Sequence, residues 1–152
     1  MNLLEIFQNH VLLGALLAWS GAQGLKLAIE YGRTRSWDWS LLLRAGGMPS
    51  SHSALVTATA HGIGLNSGFD TPLFAMSVAL AMIVIYDATG IRRQAGQHAK
   101  IINAIIKDFI EGHPARSQEK LREVLGHSPM EAFIGAVLGI VVAQIVYGLW
   151  AS

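Results

Sequence analysis

Long apolar runs, interrupted at only a few points, dominate this chain of 152 residues. Four of them are candidates to cross a hydrocarbon core of roughly 30 Å, which takes about 20 helical residues. The first runs from near Val11 to Ile29 and is apolar apart from Ser20, Gln23 and Lys26. The second follows the break at Gly46-Gly47-Met48-Pro49, from about Ser50 to Leu65, and is short and weakly hydrophobic. The third, Pro72 to about Ile91, is the clearest (PLFAMSVALAMIVIYDATGI). The fourth, about Met130 to Trp150, contains Gly135-x-x-x-Gly139, a spacing that lets helix backbones approach closely and permits a homodimer. Between the third and fourth, Ile101, Ile102, Ile105, Ile106, Phe109 and Ile110 recur at helical spacing, with Lys100, Asn103, Lys107 and Glu111 elsewhere. That is an amphipathic helix, with two placements open: in the membrane interface, or as an extension of the third helix packed on its neighbours. The pattern predicts an all-α integral membrane protein: about four transmembrane helices plus the amphipathic helix, in a single membrane-embedded domain over residues 1–152. Met1 to Phe7 lack the basic start of a secretory signal and are expected to open a retained helix.

Composition strengthens this picture. Apolar residues make up 52% of the chain and charged residues 14%, with a mean hydropathy of +0.42, whereas a soluble domain carries about a quarter charged residues. The absence of cysteine excludes disulfides and thiolate metal sites. The eleven Lys and Arg residues are confined to two stretches, Lys26 to Arg44 and Arg92 to Arg122. The loop between the second and third segments, Asn66 to Thr71, carries only Asp70. Basic loops are retained on the cytoplasmic side, so four crossings would put both termini outside and both basic loops in the cytoplasm. A bacterial inner membrane or its equivalent fits that arrangement. Trp19, Trp37, Trp39 and Trp150 suit interfacial anchoring.

On that topology four polar clusters share the cytoplasmic side. They are Lys26-x6-Arg33, Gly46-Gly47-Met48-Pro49-Ser50-Ser51-His52-Ser53, the run Asp87 to His98 (DATGIRRQAGQH), and Arg122-x4-His127-x3-Glu131. Lys and Arg donate to phosphate oxygens. Pro49 stands where a first-turn proline belongs, which would leave the amides of Ser50 to His52 as unpaired donors for an anion. Two histidines supply a nucleophile and an acid for the leaving oxygen. A carboxylate four residues after His127 holds that imidazole in one tautomer. The chemistry indicated is transfer of a phosphoryl group to histidine followed by hydrolysis, with no metal and no cofactor.

The K-x6-R, P-S-x-H and R…H-x3-acid series resembles the type 2 phosphatidic acid phosphatases and their vanadium haloperoxidase relatives. GGMPSSHSA, YDATGIRRQAGQHA and LREVLGHSPMEAFIGAVLGI look more closely like the divergent branch of that superfamily, over roughly residues 20–145. The resemblance implies that Lys26, Arg33 and Arg122 bind phosphate with Ser50 and the backbone near Ser51. It also implies that His52 protonates the leaving group, that His127 is the nucleophile and that Glu131 orients it. The chain departs from the usual pattern in having Thr34 for proline, Ser51 for glycine, Leu121 for serine and Glu131 for aspartate. The Arg122-to-His127 gap is also one residue short, a rotation of roughly 100° on a helix, which leaves Arg92 or Arg93 as substitutes for Arg122. The implied partners are the bilayer and a lipid phosphate, and no nucleic acid.

Plainer roles compete at several positions. Lys26 is placed to snorkel to the interface, and His10, His61 and His113 suit hydrogen-bonded packing. Arg35, Lys107, Arg116 and Lys120 are most simply topology signals or contacts to anionic headgroups. Ser50, Ser51 and Ser53 are suited to capping. Asp87 interrupts the most apolar segment, where a charge needs a partner, and Arg93 or a catalytic histidine is the one expected. The functional expectation is a cytoplasm-facing phosphatase of a lipid phosphomonoester, of the phosphatidylglycerophosphate or phosphatidate type. Its rivals are an isoprenyl phosphate or diphosphate phosphatase and a non-catalytic protein that binds anionic lipid or a partner.

Overall fold

The computed structural model describes residues 3–42, 46–110 and 126–151. Five α-helices follow one another within them: α1 (His10–Thr34), α2 (Ser51–Ser67), α3 (Pro72–Thr89), α4 (Ile91–Ile110) and α5 (Pro129–Ala151). Short 3-10 turns occupy Leu3–Gln8 and Trp39–Leu42. No strand occurs among the described residues, and α1, α5 and the α3–α4 stretch are long and apolar enough to cross a membrane. The protein is an all-α integral membrane protein.

The helix boundaries have local causes. Asn9 caps α1, its side chain accepting from the Leu12 amide at 3.0 Å, and α1 continues past Ile29 until Arg35 turns left-handed (φ 56°). Thr71 caps α3 through the Phe74 amide at 3.3 Å, with Pro72 in the first turn. Pro49 is not in the first turn of α2, as its position suggested, but precedes the cap: Ser50 is the N-cap, accepting from the Ser53 amide at 3.3 Å. Ser50 takes that place because its hydroxyl can satisfy a first-turn amide and proline has none to offer.

The fourth expected span, α2, is the exception to the hydropathy pattern. Its 17 residues extend about 26 Å, and it is the central helix, packing against α1, α3 and α5. That position explains its weak hydrophobicity, because a helix sheltered by three others faces little lipid. Its Ser, Thr and His side chains find partners inside the protein instead. The core is built from alanine: Ala54 and Ala58 of α2, Ala15, Ala18 and Ala22 of α1, and Ala143 of α5. Side chains this small gain little from burial, so close van der Waals approach holds the helices together. Gly135 and Gly139 are where α5 comes nearest. A Cβ on Gly135 would run into the Ser50 backbone, and one on Gly139 into Ala54 and Thr57. The Thr57 hydroxyl donates across the same seam to the Ala136 carbonyl at 3.0 Å. The GxxxG face is therefore occupied within the chain by α2.

The amphipathic helix expected here forms directly after the third. Helix α4 begins one residue beyond α3, at the Gly90 cap. Among the described elements it packs on α3 alone, and Ile101, Ile102 and Ile105 face outward.

Overpacking a tight seam costs on the order of 1–3 kcal/mol. Gly135→Leu and Gly139→Leu are each expected to lower the melting temperature in detergent. Gly148→Ala, with nothing within 4 Å of an added Cβ, is expected to leave it unchanged or slightly higher. Equal losses in all three variants would show that the α2–α5 approach is not what limits stability.

Candidate active site

The start of α5 gives the site its most ordered part. Ser128 and Glu131 form a reciprocal cap: the Ser128 amide donates to the Glu131 carboxylate at 3.0 Å, and the Glu131 amide donates to the Ser128 hydroxyl at 3.3 Å. This is the S-x-x-E capping box, and its sequence signal lay in SPME. The Glu131 oxygen that accepts from Ser128 also lies 3.2 Å from His127 Nδ1. One carboxylate thus closes the helix and fixes the imidazole. Nδ1 is the side that carries the proton in this arrangement, so Nε2 carries the lone pair. His127 is 3% exposed, and its Nε2 has no hydrogen-bond partner among the described residues.

Three further contacts bring the other helices to this point. The Ser50 amide donates to the Glu131 carbonyl at 2.9 Å, which sets the beginning of α2 against the beginning of α5. The His127 amide donates to the Ala88 carbonyl at 2.9 Å, and a Cβ on Gly126 would collide with Ala88 and Arg93 backbone. Gly126 therefore allows the segment ahead of α5 to lie on the α3–α4 junction. Lys26, 3% exposed on α1, donates to the Ser51 hydroxyl at 3.2 Å. Its stem passes Gly47, whose φ of 82° belongs to the left-handed region that glycine tolerates.

These elements enclose a cavity of about 340 Å³, within the size range of small-molecule sites. Its wall includes Gly46, His52, Asp87, Arg92, Gly126 and His127, with Val84, Ala88, Ala95 and Gly96 as the apolar part. The two imidazole rings stand 6.1 Å apart. Arg92 Nε donates to Asp87 at 2.6 Å, so Asp87 is paired with Arg92, not with Arg93 or a histidine as expected. The helix break at Gly90 lies between the two and lets Arg92, five residues on, turn back to Asp87. Arg93 is exposed and does not line the cavity.

The remaining expected site residues are distributed as follows. Ser50 and Ser51 are buried and do not line the cavity, and the Ser50 hydroxyl is engaged by the Ser53 amide and hydroxyl. The amides of Ser51 and His52, in the first turn of α2, have no helical partner. Arg33 lies about 10 Å beyond Lys26 on the same face of α1, with its side chain 78% exposed and 4.0 Å from Glu30. It is outside the cavity wall. Arg122 and His113 lie outside the described residues, as do Arg44, Arg116 and Lys120. His98 is exposed on α4. His10 bonds to Asn66 and stacks on Trp150, and His61 bonds to Gln144, so both are packing histidines. Among the described residues, no three His, Asp or Glu side chains are grouped as metal ligands.

A membrane-embedded helical bundle with a paired-histidine cavity beside buried lysine is the class of protein this structure defines. The chain belongs to the Divergent PAP2 family, which matches it over residues 7–142. The uncharacterized membrane protein YuiD of Bacillus subtilis (strain 168) is 42% identical over 152 residues, covering 93% of this chain and 96% of YuiD. No solved structure matches.

Burial is the main influence on His127 and pushes it below the usual imidazole range. The Glu131 hydrogen bond opposes that, and Lys26 and His52 add to the lowering. A histidine in this setting stays neutral as pH falls through about 6.5. Ring-proton NMR is expected to show a His127 midpoint below that value. Glu131→Gln, which removes the charge favouring the imidazolium, is expected to lower it further. A midpoint that rises in that variant would overturn this account of the environment.

Proposed function

We propose that this protein is a metal-independent membrane phosphatase that hydrolyses a lipid phosphomonoester. The observation that carries the reading is the state of His127: it is buried, tied to Glu131 through Nδ1, unpartnered at Nε2 among the described residues, and in one cavity wall with His52. In the first step Nε2 attacks phosphorus and the bond from phosphorus to the lipid oxygen breaks. His52, as imidazolium, gives its proton to that oxygen. In the second step water attacks the phosphohistidine, His52 takes the proton, and phosphate leaves with His127 neutral again. Glu131 stabilises the charge that His127 gains on attack. Lys26, Arg92 and the first-turn amides of α2 neutralise the phosphoryl oxygens. Arg33, two turns beyond Lys26 on the same helix face, and Arg122 belong to the same expected set.

The family supports a phosphatase at this level, and the wider kinship with vanadium haloperoxidases implied by the motifs makes vanadate the natural probe. The confinement of Lys and Arg to two stretches supports a cytoplasmic site, with α2 counted as a crossing. A glycerophospholipid such as phosphatidylglycerophosphate or phosphatidate fits that side better than a carrier lipid recycled outside.

His127→Ala is expected to abolish phosphate release from the purified protein, and acid-quenched wild type is expected to carry a phosphohistidine that the variant lacks. His52→Ala is expected to lose about 10²–10⁴-fold in rate while still binding vanadate. Undiminished turnover in His127→Ala would sink the mechanism. Binding of vanadate and lipid with no turnover across a broad panel of phosphate esters would instead establish the non-catalytic rival. The cavity wall also separates the two adjacent arginines. Arg92→Ala is expected to raise KM at least tenfold, and Arg93→Ala less than threefold; the reverse order would return the phosphate contact to Arg93.

A further inference from the structure

One end of α4 belongs to the histidine cavity, and the other presents an apolar face outward. Arg92, Ala95 and Gly96, in its first turns, line the cavity. Farther along, Ile101, Ile102 and Ile105 are 58%, 43% and 58% exposed. The helical ladder is interrupted where α4 begins. The Gly90 amide donates to the Tyr86 carbonyl at 2.8 Å, and the Gly90 carbonyl accepts from the Gln94 amide at 3.0 Å. The Ala88 carbonyl, which an unbroken helix would offer to Arg92, accepts from the His127 amide at 2.9 Å instead. Helix α3 has 18 residues. That is about 27 Å of rise, close to the roughly 30 Å of a hydrocarbon core, so α4 starts where the hydrocarbon ends. Its side chains suit that depth. Arg92, Arg93, Lys100 and Lys107 stand against a single carboxylate, Asp108. Arg93, Lys100 and Lys107 recur every seven residues, or two turns, and share one line on the polar side. Ile101 and Ile105, four apart, share another. In hydrocarbon such a helix would bury its cations, and in water it would leave its isoleucines bare.

We propose that α4 docks its Ile101, Ile102 and Ile105 face on a bilayer surface rich in anionic headgroups, and that this seating fixes the wall α4 gives to the histidine cavity. Two observations make lipid the occupant. The excess of positive charge beside the apolar face complements anionic headgroups. The face also follows directly on a stretch apolar enough to cross the bilayer. The next part of the chain, residues 111–125, has Leu121, Val124 and Leu125 as its large apolar side chains amid charged and polar ones. It offers little to cover three isoleucines. The docking follows from the pattern of α4 itself, while its bearing on turnover rests on the phosphatase reading. Because α4 is one helix, a tilt of its isoleucine-bearing part moves Arg92 at its start, and with it the pair that Arg92 makes with Asp87 in the cavity wall.

Two measurements on the full chain in lipid nanodiscs test this. The chain has no cysteine, so single spin labels are placed through Ile101→Cys, Ile105→Cys and, on the polar side, Ala104→Cys. The Ile101 and Ile105 labels are expected to relax with oxygen, which concentrates in lipid, and to be shielded from an aqueous nickel complex. The Ala104 label is expected to do the reverse. Raising phosphatidylglycerol in phosphatidylcholine from none to about 30% is expected to deepen the Ile105 label. Lys100→Gln with Lys107→Gln is expected to remove most of that change. Equal access of nickel to all three labels, or closure of Ile101 and Ile105 to both reagents by a covering protein segment, would overturn the docking. An Ile105 label indifferent to phosphatidylglycerol would overturn the preference for anionic lipid. In the second measurement, kcat for the water-soluble p-nitrophenyl phosphate is expected to rise about threefold over the same lipid series, and less than half as much in the double variant. A rate indifferent to phosphatidylglycerol while the label deepens would overturn the control of the cavity and leave the docking in place. Absence of turnover in every disc would overturn the phosphatase reading, and the labels would then decide the docking by themselves.

Discussion

The approach of α5 to the beginning of α2 is the constraint on which the rest of this structure depends. Gly135 lies against the Ser50 backbone, and one turn earlier the Glu131 carbonyl receives the Ser50 amide. With that contact made, the cap of one helix and the cap of the other are held together. Each cap carries a histidine: His52 in the first turn of α2 and His127 just before α5. A side chain at Gly135 would separate the helix starts by the width of a methyl group or more. In a bilayer, lipid tails are as apolar as leucine, so no hydrophobic term draws helices together and close approach must supply the attraction. The same glycine that makes the bundle compact therefore brings the imidazole rings into one wall.

Capping and chemistry use the same atoms here. The first four amides of a helix lack internal partners, and both helix starts answer that need with side chains that also bear on the cavity. Ser50 satisfies Ser53 and is held by α5, while Glu131 satisfies Ser128 and fixes His127. Sequence motifs of this kind are ambiguous for a physical reason: a serine before a helix and a carboxylate in its first turn are what a cap requires. The resemblance implies phosphate contacts from Ser50 and the backbone near Ser51, and here the Ser50 hydroxyl accepts from Ser53 and the Ser51 hydroxyl accepts from Lys26. What remains available on α2 is the pair of backbone amides behind them.

The sequence was most informative where a pattern is periodic and least where it depends on a chain reversal. Apolar runs located α3 and α5 to within two residues at each end, and the start of α1 to within one, while α1 runs on past the expected Ile29 to Thr34. The weak hydropathy of α2 was visible, but its central position was not, because shelter by three helices is a tertiary property. Lys26 and Ser51 lie 25 residues apart and meet only through that packing. The pairing of Asp87 with Arg92 depended on a phase change at Gly90 that no helical count contains. Gly126 gave no signal either: its role is to let the chain lie on Ala88 and Arg93, and that contact exists only in the folded bundle.

The grouping of polar side chains near helix ends bears on the hydrolysis proposed for this cavity. Its polar lining comes from helix ends, His52 at the start of α2, Asp87 and Arg92 about the α3–α4 junction and His127 just before α5, and Lys26 and Glu131 stand beside it, two turns from the end of α1 and in the first turn of α5. A cluster with two cations and two carboxylates would be costly near the middle of a bilayer, where an unpaired charge costs several kcal/mol. At the ends of helices the same groups pair with one another and with free backbone amides, and water is at hand. Hydrolysis needs that water and an exit for phosphate, while a lipid needs continuous contact with the hydrocarbon. On the proposed reading, a cavity set among helix ends, with Val84 and Ala88 of α3 in its wall, would meet both requirements.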